Sequence, residues 1–145
     1  MQSTYSFLDL SGAIASPVGP YIFTGDGIGE GGIVVEMSQE RTAHDTGADG
    51  SIMVSKMAGN NGTINISVQQ TSNLHKWLLK WYNALVLGDT SIWAATGMLL
   101  RNVSDGTSHI ISGVSPGKKP GMPYHRQGQN ITWALMAADI QSVPI

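Results

Sequence analysis

Between Ser72 and Leu87 the apolar residues Leu74, Trp77, Leu78, Trp81, Tyr82 and Leu85 recur at i, i+3, i+4, i+7, i+8 and i+11, which places them in one stripe along an α-helix. Ser72 stands where an N-cap oxygen is needed, and Gly88 follows the last apolar position, as helix start and stop signals require. Lys76 and Lys80 fall on the opposite face. The stripe is a core-packing face, not a ligand-stacking platform, because large apolar side chains at helical spacing are buried against a partner layer. No other segment carries this period, so a single helix must find its partner surface in strands.

The strands are legible in part. In Thr63-Ile64-Asn65-Ile66-Ser67-Val68-Gln69 every second residue is apolar, which sets one face of a β-strand toward a core. Further runs rich in β-branched or aromatic residues are Tyr5 to Leu8, Tyr21 to Thr24, Ile33 to Glu40, Ile52 to Lys56, Ile92 to Asn102, His109 to Val114 and Ile131 to Ala137, separated by turn-forming residues. Thr42 to Gly50 is polar and lies between two such runs, long enough for an extended hairpin arm. Ser115 to Gly128, with Pro116, Pro120 and Pro123, reads as a second irregular connection. There are no internal repeats and no low-complexity tract.

Composition says how such a chain stays folded and soluble. With 145 residues it is the size of one domain with one core. Only 12% of residues are charged and 18 are Gly, about half the usual charge density. A surface so poor in charge is better explained by partners that cover it than by an isolated monomer. Net charge is -2, which provides no general attraction for nucleic acid. The charge is uneven: residues 1–60 hold Asp9, Asp26, Glu30, Glu36, Glu40, Asp45 and Asp49 against Arg41 and Lys56, whereas residues 61–145 hold Asp89, Asp105 and Asp139 against Lys76, Lys80, Arg101, Lys118, Lys119 and Arg126. Placed on different faces, the two halves suit head-to-tail contact. Zero cysteines exclude disulfides and thiolate chemistry. The N-terminus lacks the basic and apolar regions of a signal peptide, and no apolar run is long enough to span a bilayer, so a soluble protein made in a cytoplasm is expected.

Three motifs invite a chemical reading. Asp45-Thr46-Gly47-Ala48-Asp49 matches the Asp-Thr-Gly signature of aspartic proteases, whose chemistry needs two carboxylates sharing a proton. Here Arg41, Thr42, Ala43 and His44 precede the Asp in place of the apolar residues that would bury it. Gly27-Ile28-Gly29-Glu30-Gly31-Gly32 satisfies the dinucleotide-binding pattern in form, but a strand run follows it where a helix N-terminus is needed, and Asp26 and Glu30 would repel a pyrophosphate. His44, Asp45 and Asp49, even with His109 and His125, have no spacing that specifies a metal geometry. No Gly-X-Ser-X-Gly elbow occurs, and the Asn-X-Ser/Thr sites at Asn61, Asn65, Asn102 and Asn130 matter only in a secreted chain.

Over nearly its whole length the chain resembles the small structural proteins that form the tail tube of contractile-tailed bacteriophages. The resemblance is carried by Tyr5-Ser6-Phe7-Leu8-Asp9, the Gly-rich run before Ile33-Val34-Val35-Glu36-Met37, Gly47-Ala48-Asp49-Gly50-Ser51, Lys56 to Val68, Thr71-Ser72 leading to Leu78 and Tyr82-Asn83, Lys118-Lys119-Pro120, and Trp133-Ala134 through Asp139-Ile140. It implies a mainly β fold: a β-sandwich or half-barrel with one packed α-helix, a single tail-tube domain over 1–145, with six copies closing into a hexameric β-barrel ring. It implies rings stacked head to tail, with an inter-ring arm at 40–62.

The resemblance further implies a structural virion protein, not an enzyme, with no cofactor and no metal, whose tube conducts DNA into the host without binding it specifically. Sheath, tape-measure and baseplate or initiator proteins are the implied partners, with no membrane contact, and the virion tail, assembled in the bacterial cytoplasm, is the implied location. The candidate inter-ring or inter-subunit contacts are Arg41, His44, Asp45, Asp49, Lys56, Lys118 and Lys119. Lys118, Lys119 and Arg126 are expected to face other subunits or the sheath, away from a bore. The alternatives are a related tail completion or contractile secretion tube protein, an aspartic-protease-like enzyme built on Asp45-Thr46-Gly47, and a monomeric β-sandwich binding module.

Overall fold

The computed structural model describes residues 2–25 and 28–145. Ten strands and one long helix follow in chain order: β1 (Leu10–Ser16), β2 (Gly19–Thr24), β3 (Ile28–Met37), β4 (Thr42–Thr46), β5 (Ile52–Lys56), β6 (Gly62–Gln69), α1 (Asn73–Leu87), β7 (Thr96–Asn102), β8 (Thr107–Lys118), β9 (Asn130–Ala137) and β10 (Asp139–Pro144). Eight strands form one antiparallel sheet in the order β2-β1-β7-β8-β9-β6-β3, with β10 paired to β8, while β4 and β5 form a separate hairpin. The mainly β half-barrel with one helix is therefore the observed fold.

The curl of the sheet originates in β8. Its first part pairs with β7 on one side and with β10 on the other, and its last residues pair with β9. β9 and β10 are successive strands separated only by Ala138, whose N–H reaches the carbonyls of Ser112 and Gly113. At that corner Gly113 has φ +65, and a Cβ there would lie 2.6 Å from the Ala138 Cβ, so glycine is needed both for the backbone and for the approach. Strand β8 thus belongs to both halves of the sheet.

The helix forms where its spacing predicts. The Ser72 side chain accepts from the His75 N–H, and Gly88 is the C-cap. Leu74, Leu78, Trp81 and Leu85 are buried, and Trp77 and Tyr82 are half-buried against the same core. Their partners are Ile64, Ile66 and Val68 of β6, Ile131, Trp133 and Leu135 of β9, Met98 and Leu100 of β7, and Ile14 and Phe23 of β1 and β2. Tyr21, Trp77 and Trp81 stack in series, with ring centroids 5.3 and 6.2 Å apart. Trp81 Nε1 donates to Thr96 Oγ1 at 3.0 Å, which removes the cost of burying a lone indole N–H.

Several boundaries differ from the sequence reading. Tyr5 to Leu8 is not a strand: Ser6 caps a short 3-10 turn over Phe7–Asp9. Ile92 lies in another 3-10 turn, Thr90–Ile92, and β7 starts only at Thr96. The strand expected over Ile33 to Glu40 starts earlier and ends at Met37. The connection expected over Ser115 to Gly128 is shorter, because β8 continues to Lys118 through a register shift after Pro116, the kind of irregularity at which a strand tolerates proline. β1, β4 and β10 add strands where none was expected. Of the glycine-rich fingerprint, Asp26 and Gly27 lie outside the described residues, and Ile28 onward is strand, not helix.

Candidate assembly surfaces

Three features lie open at the surface of the subunit: an arm, a basic loop and bare sheet edges. The arm is the β4–β5 hairpin, paired from Thr42↔Lys56 to Thr46↔Ile52. Its turn is held by Gly47 N–H donating to the Ser51 carbonyl at 2.7 Å, with Gly50 at φ +87. Asp49 accepts from both the Ser51 hydroxyl at 2.7 Å and the Ser51 N–H at 3.0 Å. The Ser51 hydroxyl, then its N–H, hold the Asp49 carboxyl below the usual range, because both bonds favour the anion. At the arm's base the Arg41 guanidinium donates to the Met57 carbonyl.

Among the described residues no other strand pairs with the hairpin. Ile52, Met53 and Val54 are 59%, 61% and 63% exposed, and because successive strand residues point to opposite faces, both faces are bare. A lone two-stranded hairpin is marginal in water, and apolar side chains left open on both faces are unusual for a monomer's surface. Arg41, His44, Asp45, Asp49 and Lys56, all assigned to contacts from the sequence, are brought together on this arm and are exposed. Asp45 sits across from Met53 with no apolar cover, so it lacks the burial that aspartic-protease chemistry requires.

Lys118 and Lys119 are exposed but stand elsewhere. Lys118 ends β8 opposite Ala134, and Lys119 opens the connection to β9, which also carries the exposed His125 and Arg126. This loop is fixed near its middle: Gln70 donates from its side-chain amide to the Pro123 carbonyl, and its side-chain oxygen accepts from the Gln129 N–H at 3.3 Å. In the half-sheet of β3, β6 and β9, the arm leaves at the Met37 and Gly62 end, beside Ala137, while the loop returns at Asn130, beside Gln69. The eight residues of β6 separate the two ends, roughly 25 Å at strand rise.

The bare edges at the ends of the sheet are β2 and β3, while β10 has β8 as its ladder partner on one side and on the other its Ile140 N–H donates to the Asn60 carbonyl at 3.0 Å. Across the sheet face turned away from α1, registration aligns Ile22, Ala13, Leu99 and Ile110 in a row over four strands, with Ile22 78% exposed. Sequence reading missed the buried His75. His75 lies inside the helix–sheet interface, where its Nδ1 accepts from Trp133 Nε1 at 3.1 Å. Its place one residue after Leu74 on the stripe is the signal that could have found it. Among the described residues no group of three His, Asp or Glu gathers in a metal-binding arrangement, and no helix is long and apolar enough to cross a membrane.

Comparison with known proteins bears on these surfaces. The family described as "Bacteriophage PhiTE tail tube protein" matches residues 2–143. Among solved structures, a chain from the 6-fold symmetrised baseplate of the anti-feeding prophage superposes with TM-score 0.65 at 12% identity, covering 99% of this chain and 98% of that one. A chain from the sheath–tube complex of an extracellular contractile injection system, in its extended state, gives 0.61 at 9% identity over 100% and 95%. One from the tube-terminating cap of the anti-feeding prophage gives 0.58 at 13% over 100% and 94%. No curated protein sequence matches.

Proposed function

Because this chain belongs to the Bacteriophage PhiTE tail tube protein family, whose members are structural parts of the tail and not enzymes, we propose that it closes into hexameric rings that stack head to tail as a conduit for DNA. The observation that carries this reading is the pair of bare edges, β2 and β3, on a curled sheet. Open edges are an aggregation hazard unless they are paired, and pairing β2 of one copy with β3 of the next joins the curled sheets into a closed barrel. The sixfold symmetry of the anti-feeding prophage baseplate, whose chain shares this fold, supports six as the number.

Stacking falls to the arm in this reading, through Arg41, His44, Asp45, Asp49 and Lys56 together with the bare Ile52, Met53 and Val54. Head-to-tail contact is heterologous and so propagates without limit until it is capped. The contractile-system chains of the same fold come from baseplate, sheath–tube and cap assemblies, which supports sheath and baseplate proteins as partners here. The tape measure, and assembly in the host cytoplasm, complete the proposal. The bore is formed by the sheet face away from α1, where Ile22, Ala13, Leu99 and Ile110 form an apolar row and Arg101, exposed two residues past Leu99, is an isolated cation and not a cluster that would strip counterions from DNA. Lys119 and Arg126 belong to the β8–β9 loop, whereas Lys118, opposite Ala134 of β9, shares the face away from α1, against the sequence expectation.

The test is electron microscopy of the purified protein, wild type and with Thr42 to Gly50 replaced by a short turn. Wild type should form tubes of sixfold rings, and the shortened protein should fold and yield at most single rings. Normal tubes from the shortened protein, or a monomer at every concentration, would overturn the reading.

A further inference from the structure

We propose that the surface receiving the arm is the β8–β9 loop of a second copy in the next ring, and that the contact is selected by charge. This rests on the stacking role of the arm and names its counterpart. Two observations lead to it. The arm and the strand end before it carry Glu36, Glu40, Asp45 and Asp49 against Arg41 and Lys56, all exposed, whereas the stretch from Ser115 to Gln129 carries Lys118, Lys119 and Arg126 and no acid. The two segments also leave opposite ends of the same three strands, β3, β6 and β9.

Placement at opposite ends makes the complementarity intermolecular. The roughly 25 Å of strand between them is beyond the Debye length of about 8 Å at physiological salt, so arm and loop of one subunit scarcely attract each other. Head-to-tail stacking brings the arm end of one copy to the loop end of the next. The hairpin supplies reach: five paired residues and a turn extend roughly 15 to 20 Å. Asp49 arrives pre-formed as an anion because Ser51 already donates two bonds to its carboxylate. The loop is equally prepared, since Gln70 pins it at Pro123 and Gln129, which lowers the ordering cost of binding. The bare Ile52, Met53 and Val54 supply affinity, and the charges supply orientation and on-rate.

Elongation can be followed by light scattering and electron microscopy for Lys119→Glu/Arg126→Glu, Asp45→Lys/Asp49→Lys and the four-fold combination, with circular dichroism as a check on folding. Each double variant should raise the concentration needed for elongation by about tenfold or more, since like charges then meet. The combination should restore most of it. Wild-type elongation should weaken as salt rises from 0.05 to about 0.5 M. If the loop variant elongates normally while the shortened arm does not, the arm stacks on another surface and this inference is wrong although the stacking role stands. If a variant does not fold, Lys119→Gln/Arg126→Gln and the salt series decide: no change in either overturns the inference.

Discussion

The indole N–H of Trp133 on β9 donates to Nδ1 of His75 on α1 at 3.1 Å, a buried bond that, with the one from Trp81 to Thr96, ties the helix to the sheet. His75 is 7% exposed, and burial lowers its pKa from the usual value of 6.5. Only the neutral ring can accept at Nδ1, so protonation costs both the desolvation of a charge and this bond. The folded protein binds the proton less readily than the unfolded chain. Stability from this site is therefore complete above about pH 6.5 and is lost as the pH falls below it, toward the lower folded pKa. Denaturant titrations between pH 7.5 and 5 should show a decline in wild type that is absent in His75→Gln.

Removing the acceptor outright leaves the Trp133 N–H buried without a partner. His75→Leu should cost about 1 to 3 kcal/mol at pH 7.5, the penalty for an orphaned donor. Chemical denaturation measures it, and an unchanged midpoint would mean that water reaches the indole.

Trp81 fills the space between α1 and β7 and is 1% exposed. Trp81→Ala should destabilise the subunit by about 3 to 5 kcal/mol through loss of contact and the cavity left behind. Trp81→Phe keeps most of the packing and should lose about 1 kcal/mol or slightly more, with Thr96 Oγ1 deprived of its donor. Equal losses for the two variants in thermal or chemical unfolding would contradict this division.

Gly12 on β1 lies under the Phe23 ring of β2, so close that an added Cβ would overlap the ring atoms. Gly12→Val should push Phe23 out of the core, at about 1 to 3 kcal/mol for forced repacking, and should also disturb the bare β2 edge. The measurements are the unfolding midpoint and ring formation by electron microscopy, both of which should worsen together.

Ser72 closes the first turn of α1 through its bond to the His75 N–H at 3.2 Å. Ser72→Ala should cost about 1 kcal/mol, readable as a shift in midpoint without a change in tube morphology.

What could be read from the sequence follows from how strongly each residue type constrains its surroundings. Trp77, Trp81 and Leu85 announce a helix because large apolar side chains repeat at one period, and Ile64, Ile66 and Val68 announce a strand in the same way. β1 was invisible because Ser11, Gly12, Ala13 and Ala15 are too small to carry a pattern; only the Phe23 ring above Gly12 explains them. Tyr5 to Leu8 looked extended by composition, yet Ser6 is pinned by the Ser104 side chain some hundred residues away in sequence, a tertiary override of local preference. β8 runs on past Pro116, against proline's usual effect, because the ladder shifts register there. The arm was legible as a polar insertion between strands, but Ile52 to Lys56 reads in sequence as an ordinary strand run, and nothing in it marks Ile52, Met53 and Val54 as exposed on both faces.

The corner at Gly113 and Ala138 has a mechanical consequence. Because β8 crosses it unbroken and is matched by β9 and β10 in succession, a pull along that direction loads the cross-strand bonds together in shear, where peeling a sheet from its edge would break them one at a time. Such a subunit resists stretching far better than it resists unzipping.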